Sequence, residues 1–192
     1  QGAAFRNTRH GIIGATGARY WRAVNTSVMG SYAAAITTHF RRAVDIAWVG
    51  NTITGSVGKS PSDGTLPTLG QGLTASTTDT RVTITGNAIS HILGAGIYCS
   101  QGSLGTADWT IGGNVLTNCA PTSTQSEASL YVANGRGVQI TGNTIRRSDT
   151  VLCSGLRVQD CEDVGLVNNT VIFDADQGVS TQIAVRIVDS KR

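Results

Sequence analysis

Two tyrosines and one arginine stand at the same point of a repeated sequence pattern, where they could bind a carbohydrate. Each lies in the middle of a short apolar run, and the three runs are Ile97-Tyr98-Cys99, Leu130-Tyr131-Val132 and Leu156-Arg157-Val158. Sugars offer apolar C–H faces and hydroxyl edges, which suit aromatic rings with polar neighbours. Exposed aromatic side chains also favour protein interfaces, so a subunit contact, or tyrosines that shield the sheet, is the alternative.

Carboxylates on both sides of these runs could cleave a glycosidic bond. Glycoside hydrolysis needs two carboxyl groups, about 5 Å apart for retention of configuration or about 6.5–9.5 Å apart for inversion. Glu127 lies just before the Tyr131 run, and Asp160 lies just after the Arg157 run. We therefore predict Glu127 and Asp160 as acid and nucleophile or base, with a solvated turn as the alternative role for each.

A different chemistry, elimination from a uronate, would need a base and a cation that stabilises the developing charge. His10 and His39 are the candidates for this lyase chemistry, because Arg9, Arg41 and Arg42 lie nearby in sequence. A repeat step of 26 residues would bring the two histidines onto adjacent coils. No cluster has the spacing of a metal site, and no cofactor is expected.

The element that positions these residues is an internal repeat. Six apolar–Asn–apolar phrases run along the 192 residues, with aligned asparagines at Asn25, Asn51, Asn87, Asn114, Asn143 and Asn169. The steps between them are 26, 36, 27, 29 and 26 residues. Two or three short strands with tight turns in about 26 residues form one coil of a parallel β-helix. The fold prediction is all-β: a right-handed single-stranded parallel β-helix of six to seven coils, covering residues 1–192.

The repeat also predicts which side chains point inward and which point outward. In the fifth copy the inward positions are Val138, Ile140 and Ile145, and the asparagines form a buried hydrogen-bonded ladder at one turn. The predicted outward column reads Thr74, Tyr98, Tyr131, Arg157 and Ala184. Residues 56–71, 100–108 and 120–128 exceed the repeat, so we expect them to leave the rod as loops.

Composition excludes several classes of protein. A net charge of +3 with dispersed arginines argues against nucleic-acid binding. No run of 18 apolar residues is present, so no membrane insertion is expected. Four cysteines without metal-site spacing suggest reduced, buried thiols. The repeat is cut off at both ends, so the chain is expected to be a fragment of a longer protein.

The repeated phrase V-x-I-x-G-N-x-I resembles the right-handed β-helix repeats of the pectate-lyase-like superfamily. The phrases Asn7-Thr8-Arg9-His10-Gly11 and Thr37-Thr38-His39 are similar to β-helix regions of bacteriophage tailspike and tail-appendage proteins. This resemblance implies a homotrimer in the phage virion that binds, and often cleaves, bacterial surface polysaccharide. It carries no catalytic motif with it. The alternatives are a structural or adhesive β-helix without catalysis, and a secreted, extracellular polysaccharide lyase or epimerase acting on uronates.

Overall fold

The regular structure of the chain consists of β-strands. The computed structural model describes residues 3–6, 8, 10–14, 17–31, 33–38, 42–56, 70–76, 78–120, 128–148, 154–174 and 183–190. Within these ranges no helix is present, so none is long and apolar enough to cross a membrane. Each strand pairs in parallel with its counterpart one coil away. The predicted all-β parallel β-helix is confirmed.

The strands form three long faces. The first face contains β2 (His10–Gly14), β5 (Ala34–Thr38), β8 (Gln71–Ser76), β11 (Ile97–Gly112), β13 (Ala128–Thr141), β15 (Ser154–Gln159) and β18 (Ile183–Val188). The second face contains β3 (Arg22–Val24), β6 (Val44–Val49), β9 (Thr80–Thr85) and β16 (Glu162–Val167), with the second halves of β11 and β13. The third face contains β1 (Ala4–Arg6), β4 (Ser27–Met29), β7 (Thr52–Ser56), β10 (Ala88–Ile92), β12 (Val115–Thr117), β14 (Thr144–Arg147) and β17 (Thr170–Phe173). Because β11 and β13 run through two faces, the first and second faces share one eleven-stranded sheet.

The core is a set of apolar columns inside the coils. Alternate side chains of a strand point to opposite sides, so one residue in two faces inward. The inward positions of the third face are in register and at most 1% exposed: Val28, Ile53, Ile89, Leu116 and Ile145. Val138 and Ile140 are likewise fully buried, as predicted. Burial of each such side chain stabilises the fold by roughly 1.5–3 kcal/mol, and the columns thereby hold the coils together.

The cysteines contribute to this core. Cys99 lies in register with Val132 and Val158 at an inward position, as the repeat predicts. Cys99, Cys119 and Cys161 are buried free thiols. Burial raises the pKa of the Cys99 thiol far above its ordinary value, so this side chain stays protonated and behaves as a small apolar group.

The predicted asparagine ladder lies at the turn between the second and third faces. From Asn87 onward, each Oδ1 accepts hydrogen bonds from the backbone N–H and the Nδ2 of the asparagine one coil earlier, with distances of 2.9–3.1 Å. Each Nδ2 also donates to a backbone carbonyl, as Asn114 does to Ile84 O at 2.9 Å. The ladder thus satisfies polar backbone groups that the sharp turn would otherwise bury without partners.

The first ladder position is Thr26, and the predicted Asn25 lies one residue before it. The backbone N–H of Thr26 donates to Asn51 Oδ1 at 3.0 Å, and Val24 is paired with Val49. Asn25 therefore occupies the column of Gly50, where the backbone φ is positive: 50° at Asn25 and 64° at Gly50. Asparagine tolerates this left-handed conformation better than most residues, which explains why it replaces the glycine here.

The number of turns is slightly smaller than predicted. Five full turns separate Thr26 from Asn169, and incomplete turns extend on either side. The expectation was six to seven coils, so the described β-helix has about five complete ones.

One of the three segments that we expected to leave the rod as loops lies inside a strand. Residues 100–108 lie inside β11, where register shifts after Ser100 and after Thr106 accommodate the extra residues as bulges against β13. Of the other two segments, residues 57–69 and 121–127 lie outside the described residues. The coil re-enters its register at Gln71, whose N–H donates to Ala33 O at 2.6 Å.

Candidate functional site

The outward side chains of the first face form a column that includes the predicted sugar-binding residues. In register, Thr74 is followed by Tyr98, Tyr131, Arg157 and Arg186, one from each coil. We call these five residues the tyrosine column. Adjacent strands are separated by ~4.8 Å, so the column presents one side chain per coil along the axis of the rod.

The last member of the column corrects the prediction from the repeat. Arg157 pairs with Arg186, whereas the expected residue was Ala184. The shift is two residues, and a shift of two leaves the inward and outward sets unchanged because side chains alternate with period two. Apolar patterning therefore cannot distinguish the two registers, although it excludes a shift of one.

The tyrosine rings stack on each other. Their centroids are 5.2 Å apart with an interplanar angle of 21°, and the guanidinium carbon of Arg157 lies 5.5 Å from the Tyr131 centroid. Tyr131 therefore has an aromatic ring on one face and a cation on the other, an arrangement that is itself stabilising. Its faces are occupied, and only the ring edge and the hydroxyl remain for a ligand.

A hydrogen-bonded network joins the column to Asp160. Gln159 Oε1 accepts from the Tyr131 hydroxyl at 3.2 Å and from Arg157 Nη2 at 2.6 Å. Gln159 Nε2 then donates to Asp160 Oδ2 at 3.0 Å. Asp160 lies at the end of the first face in a left-handed conformation with φ of 50°, a conformation that aspartate tolerates. The structure thus connects three predicted site residues, Tyr131, Arg157 and Asp160, through Gln159, and Tyr98 joins them by stacking on Tyr131.

Two members of this network, Arg157 and Tyr131, are withdrawn from solvent to different degrees. Arg157 is only 8% exposed although its position faces outward. Desolvation, followed by the neighbouring Tyr98, raises the pKa of Tyr131, while the charge of Arg157 acts in the opposite direction. Tyr131 therefore remains a neutral phenol at physiological pH, with a hydroxyl able to donate and accept hydrogen bonds.

The other predicted residues are placed as follows. Glu127 and His39 lie outside the described residues. His10 pairs with Ala34, and Ile12 pairs with the buried Ile36. His10 therefore shares the inward side of its strand with Ile12, and its Nδ1 is buried. Within the described residues no three His, Cys, Asp or Glu side chains are close enough together to hold a metal ion.

A second surface feature, which the repeat did not point to, lies on the second face. A groove of about 400 Å³ is lined by Tyr20, Arg22, Asp45, Ile46, Ala47, Arg81, Thr83 and Asp108. We call it the polar groove. Its residues come from four coils whose sequences differ, so only the register reveals their proximity.

The centre of the polar groove is an ion pair between neighbouring coils. Arg81 Nε and Nη2 donate to the two carboxylate oxygens of Asp45 at 2.6 and 2.9 Å. This hydrogen bonding, with the positive charge behind it, holds the pKa of Asp45 below its usual value and raises that of Arg81. Both side chains are solvent-exposed to a substantial degree, so the pair contributes little to stability.

The comparisons with known proteins agree with this architecture. Residues 42–188 match the family model described as the right-handed β-helix region. Among solved structures, the A-module of the mannuronan C-5 epimerase AlgE6 from Azotobacter vinelandii is similar, with a TM-score of 0.50 and 14% sequence identity. The similarity covers 98% of this chain and 57% of that module, and at this identity it shows the fold alone. No curated protein sequence matches the chain.

The family match extends over most of the chain and over all but the first of the asparagine ladder turns, and its handedness is the one expected for parallel crossovers. The chain belongs to the right-handed β-helix family.

Proposed function

We propose that this β-helix binds bacterial surface polysaccharide along the tyrosine column. The observation that carries the proposal is a set of connected side chains on this face. Tyr98, Tyr131 and Arg157 come from successive coils, and Gln159 and Asp160 extend the set along the coil of Arg157. A linear polymer needs a linear surface, and parallel coils supply one with a contact every ~4.8 Å. Held rigid by the stacked coils, these side chains lose little conformational freedom on binding.

The stacking of the two tyrosines determines how a polymer would lie. Because Tyr131 is enclosed between Tyr98 and Arg157, no sugar ring inserts between them. The polymer instead runs across the ring edges and exchanges hydrogen bonds with the phenol hydroxyls and with Gln159. Carbohydrate hydroxyls both donate and accept, which matches an edge made of phenol, amide and carboxylate groups.

Within this proposal the chain is part of a phage tailspike, a homotrimer of the virion that meets the host cell surface. The tailspike-like phrases near residues 7–11 and 37–39 support this assignment. The proposal includes cleavage of the bound polymer, with Asp160 as one carboxylate and Glu127 as the other. The link from Asp160 to the column through Gln159 supports the first of these roles.

Binding can be tested with purified capsular polysaccharides and lipopolysaccharides immobilised as an array. The wild-type chain should bind at least one polymer, and Tyr98→Ala should weaken that binding by about 2-fold to 12-fold, the effect of losing a phenol hydrogen bond worth about 0.5–1.5 kcal/mol. The matched control is Ile172→Ala, which removes an exposed apolar side chain from the third face. If no polymer binds, or if both variants bind like the wild type, polysaccharide binding at the tyrosine column is wrong.

Cleavage is tested separately on the polymer that binds. Hydrolysis releases reducing ends and lowers the polymer length, and Asp160→Asn should abolish both changes. A uronate lyase, the second class of activity considered, would instead release unsaturated products that absorb in the ultraviolet. A polymer that binds but keeps its length and composition identifies a non-catalytic adhesive β-helix and excludes the depolymerase.

A further inference from the structure

The polar groove on the second face lies apart from the tyrosine column and has the composition of a separate binding site. Two adjacent outward columns form it. One column reads Tyr20, Asp45, Arg81 and Asp108, and the other begins with Arg22, Ala47 and Thr83. The small side chain of Ala47 leaves a depression beside the ion pair. Three coil steps separate the ends, so the groove is ~14 Å long.

The backbone at the first of these columns indicates that two of its side chains, Tyr20 and Arg81, are retained at a cost. Tyr20, Asp45, Arg81 and Asp108 all have positive φ, between 48° and 60°. The next coil has Gly137 at this position, with φ of 76°, and glycine is the residue that adopts this conformation without strain. Aspartate tolerates this conformation, but Tyr20 and Arg81 adopt it at a cost, and such strain tends to concentrate at functional sites.

The charges of the groove are arranged for a ligand that is itself charged at one end. Asp45 and Arg81 neutralise each other at the centre. Among the described residues, Arg22 and Asp108 form no ion pair, so a guanidinium stands near one end of the groove and a carboxylate near the other. Tyr20, which is 77% exposed, offers its ring at the same end as Arg22.

We infer that the polar groove binds a short acidic oligosaccharide, whose sugar beside Arg22 and Tyr20 carries a carboxylate. Arg22 can hold the sugar carboxylate through two parallel hydrogen bonds, the geometry that guanidinium groups favour. Asp108 accepts hydrogen bonds from sugar hydroxyls. A ligand group that is itself an anion has no hydrogen to donate there. The Tyr20 ring covers the apolar C–H face of the sugar. A neutral sugar would use only the last two contacts.

This inference rests on the proposed function, because it extends glycan binding to a second site and names the class of sugar. Polysaccharide binding at the tyrosine column and acidic-sugar binding in the polar groove can nevertheless be refuted independently. Loss of binding in Tyr98→Ala reports on the tyrosine column, and loss of binding in Arg22→Ala reports on the polar groove. The probes are short oligogalacturonates and oligomannuronates, together with the same oligomers after reduction of their carboxyl groups to alcohols.

The experiment follows the backbone amide signals of isotope-labelled protein by NMR during titration with each probe. One of the acidic oligomers should shift the signals of Tyr20, Ala47 and Thr83 and bind at least about tenfold more tightly than its reduced form. Arg22→Ala should remove this preference, and Arg22→Lys should retain part of it because the charge stays while the planar fork is lost. Arg146→Ala, which removes an exposed arginine from the third face, should bind like the wild type.

Three results would overturn the inference. They are equal affinity for the acidic and reduced oligomers, unchanged preference in Arg22→Ala, and the absence of shifts in the groove with both acidic probes. Circular dichroism of each variant establishes that it is folded. If Arg22→Ala loses the preference while Tyr98→Ala binds every polymer normally, the acidic-sugar site stands and the tyrosine column is not the polysaccharide site.

Discussion

Removal of one amide from the centre of the asparagine ladder should destabilise the whole rod. Asn114 is fully buried and takes part in four hydrogen bonds: its Oδ1 accepts from the N–H and Nδ2 of Asn87, and its Nδ2 donates to Ile84 O and Asn143 Oδ1. In Asn114→Ala each of these partners stays buried and loses one bond. At about 1 kcal/mol for each bond, the free energy of unfolding should fall by about 4 kcal/mol.

The matched control is the same substitution at the end of the ladder. Asn169 is half-buried and takes part in three such bonds, two accepted from Asn143 and one donated to Ile140 O. Water can replace part of what is lost there, so Asn169→Ala should cost about 1–2 kcal/mol. Urea unfolding, followed by the fluorescence of the buried Trp48 and Trp109, measures both values. A loss of less than about 1 kcal/mol in Asn114→Ala, or equal losses in the two variants, would refute the idea that the ladder stabilises the turn.

Three further predictions concern the backbone, the groove and the core. Gly72→Ala would place a Cβ against the backbone carbonyl of Gly96, which is held by its hydrogen bond within the sheet, so it should lower the melting temperature more than Gly17→Ala, where the space is open. Equal effects would show that the sheet accommodates the added Cβ. An NMR titration should find the pKa of Asp45 below 3.8, and Arg81→Ala should raise it towards that ordinary value. Because Asp45 has a lower pKa in the folded than in the unfolded state, the stabilisation by this pair is complete above the unfolded-state pKa. It is lost as the pH falls through the folded-state pKa. An unshifted pKa of Asp45 would show that the pair does not form in solution. Cys99 should resist alkylation at pH 8 in the native protein and react in urea, as read from its peptide by mass spectrometry, and rapid native labelling would contradict its burial.

The sequence was sufficient to predict the fold because the repeat determines several features at once. Apolar residues at positions such as Val138, Ile140 and Ile145 predict both the strands and their inward side. The asparagine at each turn predicts the ladder, since a buried amide must find partners in neighbouring coils. Each of these features depends on local periodicity, which is visible in a single sequence.

The candidate sites depend on register between coils, which the sequence specifies less tightly. At the first coil the sequence predicted Asn25 as the ladder residue, whereas the structure has Thr26 there. The error arose because an asparagine directly before the ladder position, where later coils have glycine, follows the same apolar–Asn pattern. The error at the last coil exchanged Ala184 for Arg186, because a shift of two residues preserves the apolar pattern. The polar groove was missed for a related reason: Tyr20, Arg22 and Asp108 come from coils with no common motif.

The corrected register changes the character of the tyrosine column. With Arg186 in place of Ala184, the column passes from threonine through two tyrosines to two arginine positions, so its positive groups lie at one end. The polar groove has the same kind of polarity, with Arg22 near one end and Asp108 near the other. A polymer that lies on either face therefore contacts differently charged side chains at the two ends of that surface. Such a surface can bind an asymmetric chain in one direction, because the reversed chain would place its polar groups opposite the wrong charges.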